Sequence, residues 1–224
     1  CLRPDGSHGP CQPGNERCDA AFTGTPRYHV MDDSCKMNDP CGPVYDANHG
    51  VYHIFYQKGL AMAAGAGPNW GHAVSRDLAH WAQLPVAIWN DEAFDSVAGW
   101  SGSATVVDGS VRLIYSGLCE EERWPTCASG TNLNLATPAD PSDPLLRRWA
   151  KANVLNDTER DPSSAWRTQH GEWRMTTFDA RLYASADFAT WREVGVQRGW
   201  DNSSECPSLF PRPRDTTGAL RASA

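Results

Sequence analysis

Three carboxylates stand where paired acid chemistry is possible: Asp39 in Asn38-Asp39-Pro40, Asp161 in Arg160-Asp161-Pro162, and Glu205 in Glu205-Cys206-Pro207. Cleavage of a glycosidic bond requires two opposed carboxyl groups. One is ionised, to attack or stabilise the anomeric carbon, and one is protonated, to donate to the leaving oxygen. A third carboxylate, set near the ring hydroxyls, holds the sugar. Arg160 is expected to keep Asp161 ionised through its charge, and the aromatic and cysteine neighbours of Glu205 are expected to raise its pKa toward the acid role. Singly, each residue has a plainer reading. Asp before Pro is usually a turn or cap, an Arg-Asp pair is usually a surface ion pair of small worth, and a lone Glu is a solvated charge.

Their phase within a repeat separates them from that background. Asp39 leads into a strand, a turn at 46–50 and a second strand rich in aromatic and β-branched residues, Val51 to Tyr56. The unit recurs around Asp108-Gly109 and, more weakly, around Gly171. The turn glycines Gly50, Gly109 and Gly171 lie 59 and 62 residues apart, and the polar residues ahead of each hairpin, Asp39, Ser101 and Asp161, lie 62 and 60 apart. A second repeat, Ser-x-Asp-(Leu/Phe)-x-x-Trp, occurs at 75–81 and 185–191, with a looser version from Asp143 to Trp149. Antiparallel hairpins at a fixed period predict an all-β fold of blades around a common axis, whose first strands bring their leading residues together. The units are expected over 36–95, 97–150 and 153–200, with a fourth opening at Glu205 to Pro211. Three units and a start fall short of the four to eight blades of a closed ring, so the chain is expected to be part of a longer protein.

With 224 residues, 40% hydrophobic content and ten tryptophans, the chain is able to bury a substantial core. A net charge of −7 without a Lys/Arg cluster argues against a nucleic-acid surface. No stretch approaches the length of a membrane-spanning helix. The eight cysteines show no zinc-ligand spacing and favour disulfides: Cys119 with Cys127, and pairs among Cys1, Cys11, Cys18 and Cys35. With the sequons at Asn156 and Asn202, they predict a secreted or vacuolar-type compartment. Residues 1–34 are rich in Cys, Pro and Gly and are read as a lead-in to the propeller domain at 35–224. The chain starts at Cys1 with no initiator Met or signal peptide, as expected of a processed protein or fragment. Gly65-Ala66-Gly67 lacks dinucleotide-loop spacing, and His53 reads as a packed or hydrogen-bonded strand residue.

In order and spacing, the motifs from about residue 27 to 211 resemble those of glycoside hydrolase family 32, the invertases and fructan-active enzymes. Met37 to Pro43 resembles the sucrose-binding box, which implies a nucleophile at Asp39 with Asn38 beside it. Phe55-Tyr56-Gln57 resembles the segment whose glutamine contacts the sugar. Trp70 to Trp81 is similar to a further family segment, and so is Trp100 to Thr105, which implies Trp100 and Ser101 as subsite residues. Arg160-Asp161-Pro162 is similar to the motif whose aspartate stabilises the transition state, and Glu205-Cys206-Pro207 to the motif carrying the acid/base. This chain departs from the pattern at Cys41, where many members have Asn, at Lys36, Ser204 and Ser208, in the Ala/Gly run 60–67, and in a shortened interval between Asp161 and Glu205.

The resemblance implies a five-bladed β-propeller in the intact protein. It also implies retaining cleavage of terminal β-D-fructofuranosides such as sucrose or fructans, with no metal or other cofactor. A thiol nucleophile at Cys206 is not expected without a paired histidine. Two alternatives remain open at this level: a fructosyltransferase using the same intermediate, and an inactive truncated sugar-binding module.

Overall fold

The computed structural model describes residues 30–32, 37–59, 67–120, 131–197 and 205–208. Among them, twelve strands form three four-stranded antiparallel sheets, each in chain order. The first holds β1 (Met37–Asp46), β2 (Val51–Lys58), β3 (Asn69–Ser75) and β4 (Trp81–Ile88). The second holds β5 (Ala98–Val107), β6 (Ser110–Leu118), β7 (Thr131–Pro138) and β8 (Trp149–Thr158). The third holds β9 (Trp166–Arg167), β10 (Trp173–Thr176), β11 (Arg181–Ser185) and β12 (Arg192–Val196). These are three blades of a β-propeller.

The expected boundaries shift in one place. Residues 153–158, read from sequence as the start of the third unit, complete β8, which pairs with β7 from Thr131–Thr158 to Pro138–Trp149. An outermost strand that is half-exposed on both faces carries little alternation to mark its end. Residues 205–208 contain no strand, and the rest of the expected fourth unit lies outside the described residues. The lead-in at 1–34 also lies outside them except for 30–32, where buried Asp32 accepts hydrogen bonds from Tyr56 Oη and Lys58 Nζ, each at 2.7 Å. Cys119 is disulfide-bonded. Cys127, Asn202, residues 60–66 and the other lead-in cysteines lie outside the described residues. The Asn156 sequon falls inside β8 rather than in a loop, with Asn156 Oδ1 buried and the Thr158 hydroxyl donating to the Thr131 carbonyl.

Adjacent blades bury one another's faces. In β6, Leu113 and Tyr115 pack with Cys41, Phe55, Trp70 and Ile88 of the first blade. Ile114 lies between them in sequence and packs with Met175, Tyr183, Phe188 and Trp191 of the third. The two-residue period of a strand sends neighbours to opposite faces, so one strand feeds two cores. Burying side chains of this size stabilises by about 1.5–3 kcal/mol each. Every residue of β3 is buried, so neither of its faces meets solvent.

The Ser-x-Asp-x-x-x-Trp repeat is a turn between the third and fourth strands of a blade. Ser75 Oγ accepts from Leu78 N at 2.8 Å, Asp77 Oδ1 accepts from Ala79 N and His80 N, and Trp81 Nε1 donates to the Leu78 carbonyl. Ser185, Asp187, Phe188 and Trp191 repeat these bonds. The residue after the aspartate has positive φ, 64° at Leu78 and 66° at Phe188, a conformation that the capping side chains hold for a residue without glycine's freedom.

His53 and His72 are both buried on neighbouring strands of the first blade, their rings joined by one hydrogen bond, Nδ1 to Nε2, at 2.9 Å. Burial pushes His53 down to about 4 and His72 well below its ordinary value; His49 and His53 charge act in the same direction, and Asp46 and Asp143 oppose it. The unfolded chain takes up these protons near pH 6.5 while the folded chain does not. The pair's contribution to stability is therefore complete above about pH 6.5 and lost progressively toward pH 4. His53→Phe is expected to flatten that dependence in thermal unfolding followed from pH 7 to pH 4; an unchanged slope would show that the pair is not its source.

Candidate active site

β1 and β5, the first strands of the first two blades, lie side by side. Their approach favours a glycine: a Cβ on Gly42 would meet Ala104 N at 3.0 Å, and Gly42 also has φ +49°. Both strands are irregular near this contact, with register shifts on either side of Pro40-Cys41 and between Gly99 and Gly102. Such bulges re-aim side chains out of the pleat. Here they let Asp39 and Ser101 meet, with Ser101 Oγ donating to Asp39 Oδ2 at 2.6 Å. Gln57 on β2 completes the group. Its Nε2 donates to Ser101 Oγ at 2.7 Å and lies 3.4 Å from Asp39 Oδ2. Ser101 and Gln57 are buried, and Asp39 is half-buried. One carboxylate oxygen is thus held by buried donors, while Oδ1 has no hydrogen-bond partner among the described residues.

Asp161 lies between β8 and β9, buried, at φ +62°. Its N–H donates to Ser116 Oγ on β6 at 2.9 Å, and its Oδ2 accepts from Cys206 N at 3.2 Å. Burial pushes the Asp161 carboxyl above its ordinary value; the Cys206 N–H and Arg160 oppose this, and the charges of Glu205 and Asp39 add to it. Arg160 opposes the rise, in the direction expected of its charge, but desolvation outweighs the guanidinium. The charges of Asp39 and Glu205, from distant parts of the chain, thus both bear on Asp161.

Arg160 spans the two downstream carboxylates. Its Nη2 donates to Glu205 Oε1 at 2.7 Å, its Nε lies 3.7 Å from Asp161 Oδ2, and its guanidinium stacks over Phe178 at 4.3 Å. The apolar neighbours expected to act on Glu205 are not found among the described residues, where its side chain is 67% exposed and ion-paired. Glu205 and Cys206 lie in a bend, with Cys206 at φ +50°, and the aromatics next to them in sequence, Trp200 and Phe210, lie outside the described residues.

Trp100 is half-buried, and its carbonyl accepts from Trp70 Nε1 at 2.9 Å. Asn38 is exposed beside Asp39. Ser116 and Phe178 escaped the sequence reading. The signal for Ser116 was a lone hydroxyl at the end of the apolar run of β6, buried where a hydrophobic residue fits the pattern. No group of His, Cys, Asp and Glu among the described residues is placed to hold a metal ion.

Residues 29–222 match the model of the Glycosyl hydrolases family 32 N-terminal domain. The chain belongs to glycoside hydrolase family 32. It is 37% identical over 185 residues to the vacuolar acid beta-fructofuranosidase 4 of Arabidopsis thaliana, covering 75% of this chain and 26% of that protein. It is 35% identical over 212 residues to a fructan 6-exohydrolase of Triticum aestivum, covering 83% and 34%. The crystal structure of fructan 1-exohydrolase IIa from Cichorium intybus superposes with a TM-score of 0.68 at 34% identity, covering 88% of this chain and 40% of that one. This family 32 chain thus spans about a quarter to a third of the curated relatives it matches.

The two free thiols in this family 32 site have distinct surroundings. Burial pushes Cys41 up to about 12. Cys206, partly exposed, is pushed up to about 11, by loss of solvent around the sulfur and then by the charge of Asp161. Neither is a thiolate near neutrality, so neither is a nucleophile there. Cys206 is expected to alkylate slowly at pH 7 and faster toward pH 11, and Cys41 to stay protected until the chain unfolds. Site-resolved mass spectrometry after iodoacetamide treatment measures both, and rapid labelling of Cys206 at pH 7 would contradict this account.

Proposed function

We propose that this chain supplies the catalytic carboxylates of a β-fructofuranosidase, a retaining glycosidase acting on terminal β-D-fructofuranosides such as sucrose or fructans. The observation that carries the reading is the held geometry of Asp39: Ser101 and Gln57 fix Oδ2, leaving Oδ1 without a partner among the described residues and available for attack. Asp39 Oδ1 bonds to the fructosyl C2 as the bond from C2 to the leaving oxygen breaks, and Glu205 gives that oxygen its proton. Glu205 then takes a proton from water, whose hydroxyl adds to C2 as the Asp39 ester breaks and the carboxylate is restored.

Asp161 and Arg160 hold the ring hydroxyls, with Asn38, Gln57, Trp100 and Ser101 as further sugar contacts. For Glu205 to act as an acid, its ion pair with Arg160 must open, and sugar hydroxyls replace Glu205 as the acceptors of the guanidinium. The names of the relatives support the substrate class, since they include a beta-fructofuranosidase and fructan exohydrolases. They also support a vacuolar or secreted setting, as one carries the word vacuolar and Cys119 is disulfide-bonded.

Asp39→Ala and Glu205→Gln are each expected to lower sucrose hydrolysis by about two to four orders of magnitude in the intact protein, at unchanged thermal stability. Release of glucose and fructose measures it. Wild-type turnover in either variant would refute the assignment.

A further inference from the structure

We infer that Ser116 is a positioning residue for the Arg160-Asp161 pair, a role that rests on the proposed sugar-binding function of those two side chains. Asp161 has the left-handed backbone that residues other than glycine adopt only when their surroundings impose it. Here the imposing contacts come from two different blades. From the second, the fully buried Ser116 hydroxyl on β6 accepts the Asp161 N–H at 2.9 Å. From the third, Phe178 N–H donates to the Arg160 carbonyl at 3.0 Å, and its ring lies under the Arg160 guanidinium at 4.3 Å. The connection continues into the third blade through Ser163, whose N–H donates to the Thr176 carbonyl at 2.8 Å and whose Oγ accepts from Thr176 N at 3.1 Å. The chain is thus pinned on both sides of the one residue with left-handed φ in this connection.

The consequence is directional. At this backbone geometry the Asp161 carboxyl meets the Cys206 N–H, and Arg160 reaches Glu205. Released from Ser116, the Asp161 N–H becomes an unpaired buried donor, and the peptide can recover a partner only by rotating away from the left-handed region. That rotation moves both side chains together. Among the described residues no hydrogen bond joins Ser116 to the side chain of Asp39, Arg160 or Glu205, and its hydroxyl oxygen is engaged with backbone, so it acts through the Asp161 peptide rather than on the sugar. An oxygen acceptor is the chemical requirement, and threonine supplies it where alanine does not.

The test compares Ser116→Ala, Ser116→Thr, Asp161→Ala and the Ser116→Ala/Asp161→Ala double variant in the intact protein, with kcat and KM measured on sucrose and 1-kestose. Ser116→Ala is expected to lower kcat/KM about tenfold or more, mainly in kcat, because the contacts of Asp161 and Arg160 tighten as charge develops at C2. Ser116→Thr is expected to restore it to within about threefold. In the Asp161→Ala background, Ser116→Ala is expected to cost markedly less than in the wild type, since only Arg160 is left to position.

Full additivity of the two losses, or an unchanged kcat/KM in Ser116→Ala while Asp161→Ala is impaired, would overturn the positioning role and leave the site reading intact. Wild-type kcat/KM in Asp161→Ala would overturn both. If Ser116→Ala does not fold, Ser116→Cys, close in volume but a weak acceptor, is read by the same criteria.

Discussion

The site depends on how closely the first strands of neighbouring blades approach. Gly42 lies against the backbone of Ala104, where a Cβ would crowd Ala104 N at 3.0 Å, and at that separation the Ser101 hydroxyl reaches Asp39. A wider gap would leave Asp39 an ordinary half-exposed aspartate next to a proline. The cores on either side maintain the spacing. Phe55, Trp70, Leu113 and Tyr115 fill the space between the first and second blades, and the Lys151 ion pairs with Asp91 and Asp95 tie β8 to the connection leading into β5. Burial raises the Asp95 carboxyl, which Lys151 and the Tyr115 hydroxyl pull back, so removing either partner would leave a poorly compensated buried charge.

The electrostatics of the site reflect competition between desolvation and pairing. Asp161 is buried, and the Arg160 guanidinium beside it is shared with Glu205, at the shorter distance. Burial therefore prevails at Asp161, while Glu205 remains exposed on the other side of the same cation. Three carboxylates with three environments, one held by buried donors, one desolvated and one exposed and ion-paired, suit a mechanism in which acidic groups take different roles.

The repeat explains why a chain with modest local signals folds so regularly. Each Ser-x-Asp turn satisfies its own backbone donors through two side chains and hides its tryptophan N–H on a carbonyl three residues back. The information is local and was readable as a motif. Other features depended on distant segments and left weaker traces. The end of β8 was misplaced because a strand half-exposed on both faces shows little alternation, and Ser116 was passed over because its proposed role depends on a residue 45 positions downstream.

Sequence alone determined the blade type and the phase of the three hairpins, and it singled out Asp39, Gln57, Ser101, Arg160, Asp161 and Glu205 as the proposed site. Strand period, turn chemistry and motif spacing are properties of short segments and survive without a fold. Tertiary structure decided which charges meet and which lose their water. Arg160 turned to Glu205 as well as to its sequence neighbour, Asp161 was buried beyond what that cation offsets, and Glu205 stayed in solvent. Those outcomes depend on how blades close against one another, because desolvation and ion pairing act through space, and the chain separates by dozens of residues the groups that the fold sets side by side.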